Sequence, residues 1–249
     1  GITKIDLPDG LETIGGSAFY NCTGLTEIEV PNSVTKIGQN AFYGINFTKV
    51  SLPFVGKTRE AAEKEAYFSY IFNYSSSNNS ANAIPSSLKE VIITDATQIG
   101  ISAFYGCSNI EKITLNDGVK TIGDSAFNSC TGLKEIDLPE TLTSIGSYAF
   151  YNCSKLASDI IIPSGVTAIN EYTFSNCASL TSVTLSENLK TIGNSAFSDC
   201  TGVTEFNLPD GLETIGSTAF YNCTGLTEIE VPKSVDTIGQ HAFRDTNLT

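Results

Sequence analysis

The residues best equipped for chemistry are the cysteines, and all seven occupy one position of a recurring pattern. Cys22, Cys107, Cys130, Cys153, Cys177, Cys200 and Cys223 each stand three residues after a phenylalanine. A nucleophilic thiol needs a base beside it, but His241 is the only histidine, and it aligns with Asn40 and Ser17 at a position read as exposed. A zinc site needs closely spaced thiol pairs, and no Cys-x-x-Cys occurs. The odd count raises the question of an unpaired reactive thiol. Ile45 and Thr246 take the same place where the loop is one residue shorter. A site that also accepts Ile wants a compact apolar body, which an unpaired buried cysteine supplies. The expectation is a ladder of reduced, structural thiols, although neighbours about 5 Å apart leave one disulfide along the row sterically open.

Carboxylates form the second constellation. In Glu27-Ile28-Glu29-Val30 the apolar residues alternate with acidic ones, as in a strand with one buried face. Collecting the outward pairs gives Lys4/Asp6, Glu27/Glu29, Lys49/Ser51, Glu90/Ile92, Lys112/Thr114, Glu135/Asp137, Asp159/Ile161, Ser182/Thr184, Glu205/Asn207 and Glu228/Glu230. Ten of these twenty are acidic and three are basic. Two readings stay open: a face that recruits a basic protein or glycoprotein, or polar cover that keeps an open sheet soluble. No aromatic anchor of the kind that dominates interface hot spots sits among them. The pairs lie on separate strands and match no calcium loop, so no metal, cofactor or catalytic residue is expected.

These residues are positioned by duplication. The stretch AFYNCTGLTEIEVP occurs at both Ala18–Pro31 and Ala219–Pro232, and Leu7–Phe42 differs from Leu208–Phe243 at six of 36 positions. The phenylalanines that mark the unit (Phe19, Phe42, Phe104, Phe127, Phe150, Phe174, Phe197, Phe220 and Phe243) are 23 residues apart, with one spacing of 24 and one gap of 62. One such unit buries almost nothing alone, whereas units stacked in parallel share one sheet and one core. Proline follows the strand at Pro8, Pro31, Pro53, Pro139, Pro163, Pro209 and Pro232, where a missing N–H ends the ladder. Glycine follows Ile at Gly15, Gly38, Gly100, Gly123, Gly146, Gly193, Gly216 and Gly239, with Asn170 in its place once. Gly and Asn tolerate positive φ, so a left-handed turn is expected there. The Ala-Phe segment should then make a short 3₁₀ or helical turn around a buried aromatic ladder.

The unit L-x-x-I-x-V-P followed by I-G-x-x-A-F-x-x-C resembles that of the BspA-like leucine-rich-repeat surface proteins, over nearly the whole chain. The resemblance implies a mostly β, right-handed leucine-rich solenoid with a parallel sheet on one face and short turns on the other. It also implies display on the surface of anaerobic bacteria or parasitic protists, and adhesion to host matrix proteins, host cells or other microbes. On this reading residues 1–249 are one solenoid of about ten coils, a fragment of a longer chain whose signal and anchor lie elsewhere. A passive stalk that presents another domain is the alternative function.

The gap of 62 marks an insertion over 54–87. GKTREAAEKEAYFSYIF has the composition of a helix, and its aromatic end (Tyr67, Phe68, Tyr70, Phe72, Tyr74) should enter the core, with Ile71-Phe72 standing in for Ala-Phe. The following SSSNNSANA reads as a polar loop. The insertion could be a patch on the scaffold or a contribution to binding. The Asn-x-Ser/Thr sequons at Asn21, Asn46, Asn73, Asn78, Asn152, Asn222 and Asn247 would offer glycan acceptors in a secretory eukaryote and are repeat composition in a bacterium, which is the favoured reading. The net charge of −13 argues against nucleic-acid phosphates and anionic membrane surfaces. No apolar run is long enough to span a bilayer. With no nucleophile, base and orienting group to assemble, binding rather than catalysis is the expected work.

Overall fold

A computed structural model describes residues 3–61, 63–73 and 83–249. It is a solenoid of stacked coils wound around one apolar core, with almost no helix. Each coil begins where the sequence predicts a strand. Glu27–Glu29, Lys49–Leu52, Glu90–Ile93, Lys112–Thr114 and Glu135–Ile136 form a five-stranded parallel sheet. Its register aligns Ile28, Val50, Val91, Ile113 and Ile136 in one buried row. From the 24-residue unit onward, among the described residues, the sheet resumes only as the pair Ile160–Ile161 and Val183–Thr184.

A second row of strands, which the periodicity did not reveal, runs through the Thr-Ile step before the glycine. Among the described residues nine two-residue strands, from Thr13–Ile14 to Thr237–Ile238, stack in parallel in three groups. The glycine that follows continues this ladder: Gly38, Gly123, Gly146, Gly193, Gly216 and Gly239 donate to the Ile carbonyl of the coil before, at 2.7–2.8 Å. These glycines do not have positive φ, contrary to the expectation of a left-handed turn. Close approach is the reason for them. A Cβ on Gly216 would lie 2.5 Å from the carbonyl carbon of Gly193, and one on Gly38 would lie 2.2 Å from the Gly16 nitrogen.

The left-handed residues stand on either side of the phenylalanine instead. Two residues before it are Ser17, Asn40, Ser102, Ser125, Tyr148, Tyr172, Ser195, Thr218 and His241, all with φ between 51° and 59°. Two residues after it stand Asn, Ser, Asp or Gly, again left-handed. This alternation turns every second amide along the stack. Ser125, Phe127 and Ser129, for example, donate to Ser147, Ala149 and Tyr151 of the next coil at 2.8–2.9 Å. The Ala-Phe segments are therefore turns held by an inter-coil ladder, and within the regular coils none is a 3₁₀ helix.

The phenylalanine rings stack behind this ladder, with centroids 5.0–5.7 Å apart from Phe104 through Phe127, Phe150, Phe174, Phe197 and Phe220 to Phe243. The insertion carries the stack across the gap. In place of one helix it makes two 3₁₀ segments, Glu63–Ala66 and Phe68–Ile71. Phe42 donates to the Ile71 carbonyl, as Phe19 does to Ala41, while Phe68 donates to the Ala103 carbonyl. Ile71-Phe72 thus meets the coil before and Phe68 meets the coil after. Helix propensity yields here to the need to offer an aromatic ring and a backbone bond on both sides. Arg59 ties the insertion down, donating to the Asn32 and Val34 carbonyls and to Asp95 while lying over Phe54. The expected polar loop and Tyr74 fall largely outside the described residues.

Gly15 and Gly216 occupy the same motif position, yet nothing lies within 4 Å of a Cβ built on Gly15. Gly216→Ala should cost about 1–3 kcal/mol through overpacking, whereas Gly15→Ala should leave stability unchanged or slightly raised. Thermal unfolding of the two variants beside the parent measures this; equal effects would refute close approach as the glycine's role.

Candidate binding faces

The thiol row follows from the ladder. The residue three places after each phenylalanine turns inward at the end of the Ala-Phe turn. Cys107, Cys130, Cys153, Cys177, Cys200 and Cys223 are buried there. The Sγ of Cys130, Cys153, Cys177, Cys200 and Cys223 donates at 3.1–3.2 Å to the phenylalanine carbonyl of the coil before. Burial pushes these thiols up, to about 12 for Cys130, Cys177 and Cys223. Such thiols are poor nucleophiles at neutral pH. Cys22 departs from the expected ladder: it is exposed, since no described coil covers its outer side. All seven are unpaired.

The outward residues of the sheet face stand where the alternation puts them, but their charges are ordered, which a count of acids conceals. The register brings Glu27, Lys49, Glu90, Lys112 and Glu135 into one row of alternating sign. Lys49 pairs with Glu90 at 3.0 Å and Lys112 pairs with Glu135. Beside them Glu111 takes both Lys134, at 2.7 Å, and Lys89, at 3.6 Å. The Lys134 ammonium holds the Glu111 carboxyl below the usual carboxylate range. Exposed pairs contribute at most about 1 kcal/mol each, so their effect here is neutralisation. Asp6 meets Lys4 at 2.9 Å.

The rest of the face differs. Asp137, Asp159, Glu205, Glu228 and Glu230 are exposed and make no ion pair among the described residues. Ile161 stands among them 55% exposed. Glu228 falls 23 residues after Glu205, so two carboxylates take the same repeat position in successive coils, while Glu230 falls 23 after the uncharged Asn207. In both coils the strand is absent. Between them a cleft of about 520 Å³ opens, lined by Glu205, Asn207, Asp210, Glu228 and Glu230 over Phe206 and Ile229. A second cleft, of about 960 Å³, separates Lys4 and Asp6 from Glu27 and Glu29 and carries both signs of charge. Among the described residues no cluster of side chains could hold a metal ion and no helix is long and apolar enough to cross a membrane.

The comparisons with known proteins fit this geometry. A family model described as the BspA type leucine rich repeat region matches residues 1–91, 69–161 and 157–249. The chain belongs to the BspA-type leucine-rich-repeat family. Among solved structures, a leucine-rich repeat protein of T. pallidum is 32% identical over 64% of this chain and 78% of its own, with a TM-score of 0.61. One from Bacteroides ovatus is 27% identical over 98% of this chain and 70% of its own, with a TM-score of 0.57. One from Eubacterium ventriosum is 24% identical over 97% and 82%, with a TM-score of 0.63, and shares the fold. No curated protein matches the chain. BspA-type coils are a scaffold of the kind that typically binds rather than catalyses. His241, exposed and left-handed on the turn face, fits that view as a repeat position.

Two outcomes test the thiol row. Ellman's reagent should titrate about one thiol of the native protein quickly, and Cys22→Ser should abolish that phase; rapid reaction of several thiols would refute the buried ladder. Because the folded pKa lies above the ordinary 9.0, the row's stabilisation is complete below pH 9 and is lost as pH rises toward about 12. Unfolding curves across that window should show the loss, and Cys→Ala replacement should flatten it.

Proposed function

We propose that the chain is a protein-binding module displayed at a cell surface, working in adhesion to host matrix, host cells or other microbes. Its partner is a basic protein or glycoprotein engaged by the sheet face. The cleft between Glu205 and Glu230 carries this reading. Four carboxylates, Glu205, Asp210, Glu228 and Glu230, line it over an apolar floor, and the flanking backbone lacks a strand partner. A basic extended segment could satisfy both, since main-chain bonds to an open edge and complementary charge act together. Asp137, Asp159 and exposed Ile161 extend the surface along the stack. Glu27, Glu90, Lys112 and Glu135 belong instead to the alternating row, with Asp6 and Glu29 at the mixed cleft. Membership of a family of surface repeats supports the location.

The regular phenylalanine stack from Phe104 to Phe243 also favours a second reading, a stiff spacer that presents another domain. Binding of the purified chain to immobilised matrix proteins, mucins and bacterial surfaces at physiological salt separates the two. The adhesive reading expects saturable binding that drops at least tenfold, about 1.4 kcal/mol, in Glu205→Lys/Glu228→Lys/Glu230→Lys. Reversing Glu27 and Glu90 should change it little. Loss only when 57–83 is deleted would move the site to the insertion. A folded chain that binds none of these surfaces would leave the spacer.

A further inference from the structure

The turn face, opposite in character to the charged sheet, carries a feature that the repeat does not require. Two residues before the phenylalanine, seven of the nine left-handed positions hold Ser, Asn, Thr or His, and two hold tyrosine: Tyr148 at φ 58° and Tyr172 at φ 54°. Bulky side chains are rare at positive φ, and strain of this kind is retained mainly where it has a use. The two rings stack, with centroids 4.7 Å apart and planes 13° from parallel. Tyr151 meets both edge-on, at 5.7 and 6.3 Å. The flanking coils have Ser125 and Ser195 in the same row. The stacked pair therefore rises above its neighbours on both sides, and all three tyrosines stay half-buried.

The surroundings are anionic. Exposed Asp124 reaches the same turn, its Oδ1 accepting the Ser147 amide at 2.8 Å. The Tyr148 amide donates to the Glu171 carbonyl at 2.9 Å, which fixes exposed Glu171 beside the ring. Burial first, and then the Glu171 carboxylate, push the Tyr148 hydroxyl up. The chain itself shows what a ring at the Tyr151 position, directly after the phenylalanine, accepts. Arg244, directly after Phe243, lies over the Tyr221 ring at 6.0 Å and pairs with Asp245 at 3.5 Å. Tyr151 is the counterpart of Tyr221, but the next coil offers it only Ser175 where Arg244 would stand. Ring faces next to carboxylates attract a guanidinium more strongly than an ammonium, because arginine is planar and weakly hydrated.

We infer that Tyr148, Tyr151 and Tyr172, with Asp124 and Glu171 at their rim, form a docking site for an arginine side chain of a protein partner. This site is on another face from the acidic cleft and does not depend on it. The complementarity is local, from two carboxylates and three rings, and general, from a chain of net charge −13.

The test is fluorescence polarisation at 150 mM salt with a fluorescein-labelled Gly-Ser peptide carrying two arginines. Matched peptides carry lysine or the uncharged isostere citrulline. Tyr148→Ser/Tyr172→Ser installs the residue that neighbouring coils hold at the same φ, so the variant should fold and its melting temperature should not fall. It should bind the arginine peptide at least about tenfold more weakly, the worth of two ring–cation contacts. Tyr148→Phe/Tyr172→Phe, which keeps the ring faces, should remain within about threefold of the parent. Glu205→Lys/Glu228→Lys/Glu230→Lys should leave this binding intact, which separates it from the cleft. Equal binding to the serine variant would overturn the proposal and reduce the interaction to net charge. Equal binding of the citrulline peptide would do the same for the cationic requirement. A glycan panel retained by the tyrosines, with no arginine binding, would assign the platform to sugars instead.

Discussion

Central among the backbone bonds between regular coils is the one that runs beside the phenylalanine stack, from the Phe amide to the carbonyl of the residue before the next Phe, at 2.7–2.8 Å. Much of the remaining sequence can be derived from it. Coils that close leave no room for a Cβ at most Ile-Gly steps, such as Gly38, Gly123, Gly146, Gly193, Gly216 and Gly239, and favour a small residue before the phenylalanine. Rings in register must stack at about the same separation, which selects phenylalanine and fills the core behind the ladder. The cysteine then fits the space under the next turn, and its thiol satisfies a second carbonyl lone pair that would otherwise be buried unused. The left-handed residues around each phenylalanine are the backbone's way of aiming alternate amides along the stack.

The charged face depends on the same spacing. Residues directly opposite in a parallel pair are close enough for like charges to repel and opposite charges to attract. Where Glu27, Lys49, Glu90, Lys112 and Glu135 alternate, the sheet is continuous. Where Glu205 meets Glu228 it is not, and a cleft replaces the ladder. Paired charge thus accompanies the continuous part of the sheet, and unpaired carboxylates stand where the strands at Glu205 and Glu228 are missing.

The repeat, the buried strand row, the aromatic ladder and the thiol row were legible because each is a strict positional pattern in the letters. The glycine's role was not, since Gly serves both positive φ and close approach and only the neighbouring coil distinguishes them. The second strand row escaped because two residues are too few to show a period. The insertion misled because its Ala, Lys and Glu content speaks for a helix, while Phe68 and Phe72 answer to the coils on either side. The alternation of Glu27, Lys49, Glu90, Lys112 and Glu135 was present in the sequence, but counting acids over the whole face hid their order. Tyr148 and Tyr172 carry no signal in the letters, because what sets them apart is a backbone angle.

The bonds that join the coils all run along the long axis of the solenoid, with the covalent chain wound across them. Tension applied to the chain on both sides of the array would therefore load the hydrogen bonds in the direction in which they open. Each coil touches only its neighbours, so coils would be released singly rather than together. Every unit that let go would give up about 80 Å of chain where it had occupied about 5 Å of axis. A tether built this way lengthens stepwise under load and takes up the strain before its attachment is broken.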